Sequence, residues 1–218
     1  MSHLNLPGLK EALEDGEFFE RDRTESVVVE LAIVLYNSGV SLPKTERVLG
    51  WIGIERSHVA VWNWIQKFGE RLSVTGRRPV AEVPSRILLD ETVVVQHGEQ
   101  FVLFAALDPA TREVVHLGVA PSRNSLTTRR FLEEIEELYG GLPEVVVTDG
   151  ATGYGAAFGR LRIRHEVRVR GVRNRVERWI QEPKRRIDTF YASFTGHTVE
   201  PTHNWLRQFT WFWNHCLS

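Results

Sequence analysis

Between Val145 and Ile187 the chain reads VVVTDGATGYGAAFGRLRIRHEVRVRGVRNRVERWIQEPKRRI, and no other stretch limits its possible folds as tightly. A short apolar run stops at Asp149, which predicts a buried strand with a carboxylate at its carboxyl end. Glu177 follows on a helical pattern, beyond a segment unusually rich in arginine. A strand-end carboxylate and a helical one converge on one cation only when a third acid joins them from elsewhere in the sheet. Asp90, in RILLDETVVV, is the candidate third.

The arginine-rich segment speaks to partners. From Arg160 to Arg186 there are eleven Lys or Arg against three Glu, in a chain whose formal net charge is only -1. Such a local excess suits a polyanion, although a solvated charged face has the same composition. With 218 residues, 42% hydrophobic and 25% charged, the chain has ordinary globular usage and room for one core plus a small satellite domain. Its longest apolar runs are of strand length, and SHLNLPGLKEALEDGEFFERD lacks the basic-then-apolar form of a signal peptide, so no membrane partner is expected. A lone Cys216 leaves no intrachain disulfide and points to a reducing, cytoplasmic setting.

Residues 1–23 are acidic and poorly periodic, a lead-in. From Thr24, a plausible N-cap, Val27, Val28, Leu31, Leu35 and Tyr36 recur at helical spacing, with Gly39 as a stop. A second helix is predicted over 42–49, with Pro43 in its first turn. After Gly50 and Gly53, Ser57 can cap a third helix to about Leu72, with Val59, Trp62, Ile65, Phe68 and Leu72 on one face. Three helices with short turns over 24–74 make a helix-turn-helix candidate. Its third helix would enter the major groove by its N-terminal end, which nominates Arg56, Ser57, His58 and Asn63 for phosphate or base contacts. A small bundle with no DNA role reads the same way, and in that reading His58 is a surface residue and Trp62 a core one.

Residues 75–85, with Gly76, Arg77, Arg78, Pro79 and Pro84, read as a linker that marks a domain boundary, with 86–218 as the second domain. Three strands over 86–96, 100–107 and 113–119 are separated by turn signals and predict an antiparallel meander. Ser125 caps a helix through Tyr139 with Phe131, Leu132, Ile135 and Leu138 on one face; Gly140 and Gly141 end it before a strand over 144–148. A short helix over 152–158 and a fifth strand over 161–169, its arginines along one side, complete an α/β fold: a mixed five-stranded sheet flanked by helices. A long helix from Arg173 to about Phe194 carries Val176, Ile180, Pro183, Ile187, Tyr191 and Phe194 as its stripe, with Glu177 and Lys184 two turns, about 10 Å, apart on an adjacent line. The last helix, 201–217, repeats Trp205, Phe209, Phe212 or Trp213, and Cys216, and reads as a packing helix.

Three carboxylates forced together repel one another, a cost removed when divalent cations sit between them. Oxygen-only ligands favour Mg²⁺ or Mn²⁺. Two such ions, about 3.5 to 4 Å apart, can activate a water or 3′-hydroxyl on one side of a phosphodiester and stabilise the leaving oxygen on the other.

On LLDETVV around Asp90, VVTDGATGY around Asp149 and NRVERWIQEPKRRI around Glu177, the chain resembles DDE transposases of bacterial and archaeal insertion sequences, nearest to the insertion-sequence-6 family. The likeness runs from about Thr24 to the end. It implies a ribonuclease-H-like core preceded by a small all-α domain, with Asp90, Asp149 and Glu177 as catalytic metal ligands for two Mg²⁺ or Mn²⁺ ions. It also implies DNA contact by Lys184; the neighbouring Arg173, Arg175 and Arg178 are candidates for the same backbone. The implied activity is cleavage and strand transfer at the ends of the protein's own element. Its partners would be terminal inverted repeats and target DNA, bound by a homodimer or higher assembly at the nucleoid. A DNA-binding protein with a decayed core and a structure-specific nuclease are the rival readings. The spacing from Asp149 to Glu177 is shorter than usual in the family. Pro183 stands where the family has an ordinary apolar helix former; it removes a helical hydrogen bond and predicts a kink costing about 3 kcal/mol.

Overall fold

The structure, a computed structural model, describes residue 9 and residues 24–74, 77–96, 99–150, 154–167 and 199–217. The chain forms two compact units. One comprises the residues up to Arg77 together with those from Gly196 onward, and the other runs from Arg78 to Thr195.

The first unit is helical: α1 (Ser26–Asn37), α2 (Leu42–Trp51) and α3 (His58–Val74). Gly39 and Gly53, at φ 102° and 81°, end the first two helices in the left-handed region, where a Cβ is disfavoured. Thr24 does not cap α1. The N-cap is Glu25, without a side-chain bond, and the Thr24 hydroxyl instead accepts from Arg56 Nε at 2.8 Å. On α3 the buried stripe is Val61, Trp64, Ile65, Phe68 and Leu72, while Val59 is exposed and Trp62 only half-buried. Ile65, Phe68 and Leu72 continue toward the N-terminus at helical spacing through either Val61 or Trp62, so periodicity alone does not choose between the two lines.

The sequence assigns the closing helix to the catalytic domain, but α6 (Val199–Phe212), continued by a π-helical turn over Trp213–Leu217, belongs to this helical unit. Trp205 Nε1 donates to the Tyr36 hydroxyl at 2.7 Å, and Asn37 Nδ2 donates to Gln208 Oε1 at 2.9 Å, all four side chains being buried. Phe68 and Trp211 meet edge to face, 5.4 Å between ring centroids. The two helices are in close backbone contact at Gly69, where a Cβ would lie 2.0 Å from the Asn204 carbonyl oxygen. An aromatic stripe announces burial, but it does not say against which element.

The second unit is built on one five-stranded sheet. The strands are β1 (Arg86–Gln96), β2 (Glu99–Leu107), β3 (Val114–Ala120), β4 (Val145–Thr148) and β5 (Arg164–Val167), in the order β3-β2-β1-β4-β5. The first three pair antiparallel; β4 runs parallel to β1, and β5 parallel to β4. Helices α4 (Ser125–Tyr139) and α5 (Gly155–Leu161) bring Phe131, Leu132, Ile135, Tyr139 and Phe158 onto Ile87, Leu89, Phe104, Val115 and Val146 to make the core. Within 75–85, the expected linker, Val80 joins that core and Arg78 stacks over the Tyr139 ring at 5.8 Å, so these residues pack on the sheet unit. The fifth strand starts later than the sequence suggests: α5 extends to Leu161, Arg162 turns at φ 57°, and pairing begins at Arg164. The mixed sheet flanked by helices is the expected ribonuclease-H-like architecture.

Candidate active site

The parallel pairing of β1 with β4 puts the two aspartates on neighbouring stretches of chain. Leu88 and Val147 are the last pair between the strands; Asp90 follows two residues later on β1, and Asp149 two residues after Val147, just past the end of β4. Neighbouring strands lie about 4.8 Å apart, and residues two apart share a face. β4 ends at Thr148, so Asp149 opens the loop beyond it, exposed, while Asp90 is half-buried. The chain turns there on Gly150 at φ 90°, a conformation that disfavours a Cβ; one placed there would also lie 2.7 Å from Val167 Cγ1. Thr148, buried just before the turn, has its hydroxyl 2.8 Å from His165 Nε2 and accepts from the Gly150 N–H at 3.2 Å. His165 packs on Phe158, 4.7 Å between centroids, and burial pushes its pKa below the ordinary histidine value.

Asp90 is oriented from its own strand, since its Oδ1 accepts from the Glu91 N–H at 2.9 Å. The Glu91 side chain is only 10% exposed and its Oε1 accepts from Arg123 Nη1, whose side chain is 43% exposed. Burial raises the Glu91 pKa, the bond to Arg123 opposes that rise, and the charge of Asp149 adds to it. Arg123 is drawn more basic, first by its bond to Glu91 and then by that group's charge, with a smaller contribution from Asp149. Sequence reasoning misses this pair. Thirty-two residues separate its members, and the only signal in the chain is an acid directly following Asp90 on a strand that is otherwise largely apolar.

Glu177, Lys184, Arg173, Arg175, Arg178 and Pro183 lie outside the described residues. Among the described residues no three acidic, histidine or cysteine side chains gather closely enough to hold an ion. Asp90 and Asp149 are the members of the predicted triad that lie among the described residues, on β1 and just past the end of its parallel neighbour β4. In the helical unit, Arg56 is tied to Thr24 and to the Glu55 carbonyl, and Ser57 Oγ accepts from the Ala60 N–H at 3.3 Å as the cap of α3. His58 is held by Glu46, whose Oε2 is 2.7 Å from its Nδ1 and takes its N–H at 2.9 Å. That hydrogen bond, with the His58 amide and charge, lowers the Glu46 pKa. Asn63 is exposed and lines a shallow hollow on α3 with Ala60, Gln66, Lys67 and Glu70.

This strand order, with an aspartate on the central strand and another where its parallel neighbour stops, defines the ribonuclease-H-like class of polynucleotidyl transferases. The chain belongs, within that class, to the DDE transposase family: the model for the IS240-type transposases, described as a DDE domain, matches residues 85–194. An uncharacterized protein of Methanocaldococcus jannaschii is 28% identical over 213 residues, which cover 97% of this chain and 96% of that one. Among solved structures, a chain of the simian T-cell lymphotropic virus intasome is similar at 18% identity and a TM-score of 0.45, over 59% of this chain and 49% of that chain, about half its length. The HTLV-2 integrase catalytic core domain in complex with magnesium is similar at 15% identity and a TM-score of 0.44, over 55% of this chain and 81% of that one.

Proposed function

We propose that the protein cuts and rejoins DNA at the ends of its own insertion sequence, using divalent cations held by Asp90, Asp149 and Glu177. The observation that carries this reading is the parallel pairing of β1, which bears Asp90, with β4, which stops one residue before Asp149, in a chain of the DDE family.

The donors fit a hard divalent cation. The two carboxylates belong to neighbouring stretches of chain, Asp90 half-buried and Asp149 exposed, and the Arg123 guanidinium is engaged by Glu91, the residue after Asp90. Mg²⁺ or Mn²⁺, in a pair with Glu177 as the further ligand, is the metal such an all-oxygen set favours. Bound there, it supplies Lewis acidity at the phosphodiester and a more acidic water or 3′-hydroxyl. The chain's own contribution is placement. The Glu91 amide fixes the Asp90 carboxylate, the Gly150 turn carries Asp149 off its strand, and the Thr148–His165 contact braces that turn.

For DNA we propose a division of labour. The helical unit reads the terminal repeats through α3, with Ser57, His58 and Asn63 at or near its N-terminal end and Arg56 just before it. Arg173, Arg175, Arg178 and Lys184 supply salt-dependent attraction to the backbone near the chemistry. Two element ends have to be held for joining, which favours a homodimer or larger assembly, acting in the cytoplasm where the chromosome lies. The test is incubation of the full chain with its element's ends and a circular target in Mg²⁺. Joined product supports the reading. Cleavage without joining indicates a nuclease, and specific binding with neither indicates a decayed core.

A further inference from the structure

Glu91 is an odd residue for its place. Alternation puts it on the face of β1 that carries Ile87 and Leu89, and across the ladder it pairs with Phe104; all three are almost fully buried. A valine or leucine would fill such a position at no desolvation cost, whereas a buried carboxylate needs a partner. It has one. Oε1 is taken by Arg123, and Oε2 is buried with no hydrogen bond among the described residues. The side chain is therefore held through a single oxygen, by a residue from the far side of β2 and β3.

Arg123 is itself held by a braced segment. Asn124 caps α4, its Oδ1 accepting from the Leu126 and Thr127 amides at 2.9 Å each, and the Thr127 hydroxyl accepts from the Asn124 N–H at 3.0 Å. That hydroxyl also donates to the Ser122 carbonyl at 2.8 Å, and Asn124 Nδ2 donates to Ser122 Oγ at 3.0 Å. The residues on both sides of Arg123 are thus fixed to the first turn of α4. A chain of contacts runs from that cap through Arg123 to the Glu91 carboxylate, and from the Glu91 amide to Asp90 Oδ1.

We propose that Arg123 and Glu91 are positioning residues for Asp90: the cap of α4, acting through this ion pair, sets the backbone at residue 91 and with it the direction of the Asp90 carboxylate. The inference rests on the proposed metal chemistry for its functional meaning, but not for its geometry.

The test uses the full chain with Arg123→Ala, Arg123→Lys and the double change Glu91→Val with Arg123→Ala. Amide hydrogen exchange needs neither metal nor DNA. Arg123→Ala is expected to speed exchange of the Glu91 amide by about tenfold or more, relative to the Leu103 amide of the neighbouring strand. With Mn²⁺ followed by electron paramagnetic resonance, the same variant needs a several-fold higher concentration for half-occupancy. Strand transfer falls about ten- to a hundredfold while affinity for terminal DNA stays within about twofold. Arg123→Lys recovers part of each loss. The double variant regains melting temperature, because no buried charge is left unpaired, yet regains neither Mn²⁺ affinity nor transfer. Unchanged exchange at Glu91 in Arg123→Ala overturns the inference, as does a double variant restored in every respect, which would make the pair a matter of stability alone. A wild-type chain that neither binds Mn²⁺ nor joins DNA defeats the proposed function instead, and the exchange measurement still decides whether the pair orients residue 91.

Discussion

Gly150 is the residue whose replacement says most about how Asp149 is held. At φ 90°, alanine carries a conformational cost of about 1–2 kcal/mol. Its Cβ would stand 2.7 Å from Val167 Cγ1, closer than packed carbons approach, so Val167 or the turn has to move, adding about 1–3 kcal/mol. Together these come to about 2–5 kcal/mol, a loss of about 4–20 °C in Tm for a chain of this size. Gly140 is the internal control. It has φ 74° but nothing within 4 Å of where a Cβ would stand, so Gly140→Ala carries only the conformational part. Gly150→Ala combined with Val167→Ala should recover the contact part, leaving a loss close to that of Gly140→Ala. Because the residue before Gly150 is Asp149, any relief gained by shifting the turn displaces the carboxylate, and a displacement of about 1 Å costs about a hundredfold in rate. Differential scanning calorimetry and single-turnover strand transfer read the two effects. A Gly150→Ala chain as stable as Gly140→Ala, and fully active, would refute the account of this turn.

Gly69→Ala should be more damaging in the helical unit, since its Cβ meets backbone rather than a side chain, 2.0 Å from the Asn204 oxygen; a loss of about 3 kcal/mol or more, with loss of specific DNA binding, is expected by thermal melting and gel shift. Ending the chain before Gly196 removes Trp205 and Gln208, which bond Tyr36 and Asn37, and should leave α1 to α3 open to limited proteolysis while the sheet unit stays resistant. His165 gives a pH dependence: with its folded pKa depressed by burial, the unfolded chain binds the proton first. Its contribution is therefore complete above about pH 6.5 and is lost as pH falls from there through the folded value. His165→Gln should flatten that part of the Tm-versus-pH curve.

Much of the sheet unit is legible in the sequence because its signals are local. Alternating apolar runs bounded by His97-Gly98 and Asp108-Pro109 give the meander, and the α4 pattern closed by Gly140 gives a helix ending at Tyr139. The cap is Asn124 rather than Ser125, one residue earlier, because Asn124 and Thr127 satisfy each other's amides. The placing of Asp90 on β1 and of Asp149 at the end of β4 is legible too, because each lies at or within an apolar run. What the sequence withholds is long-range pairing. The Glu91–Arg123 bond depends on how β3 leads into α4, and the burial of Trp205 against Tyr36 spans 169 residues. Trp64 is buried and Trp62 is not, although both lie on α3, and nothing within α3 marks which line is covered.

The most direct measurement of the central claim is a metal-specificity switch at Asp149. Carboxylate oxygen suits both Mg²⁺ and Mn²⁺, whereas a thiolate is a poor ligand for Mg²⁺ and a tolerable one for the softer Mn²⁺. Strand transfer of a labelled element end should therefore proceed in either metal with the wild-type chain, vanish in Mg²⁺ with Asp149→Cys, and return in part when Mn²⁺ replaces Mg²⁺. Asp149→Cys joining DNA in Mg²⁺ as fast as the wild type would contradict the assignment of Asp149 as a metal ligand, and with it the proposed chemistry.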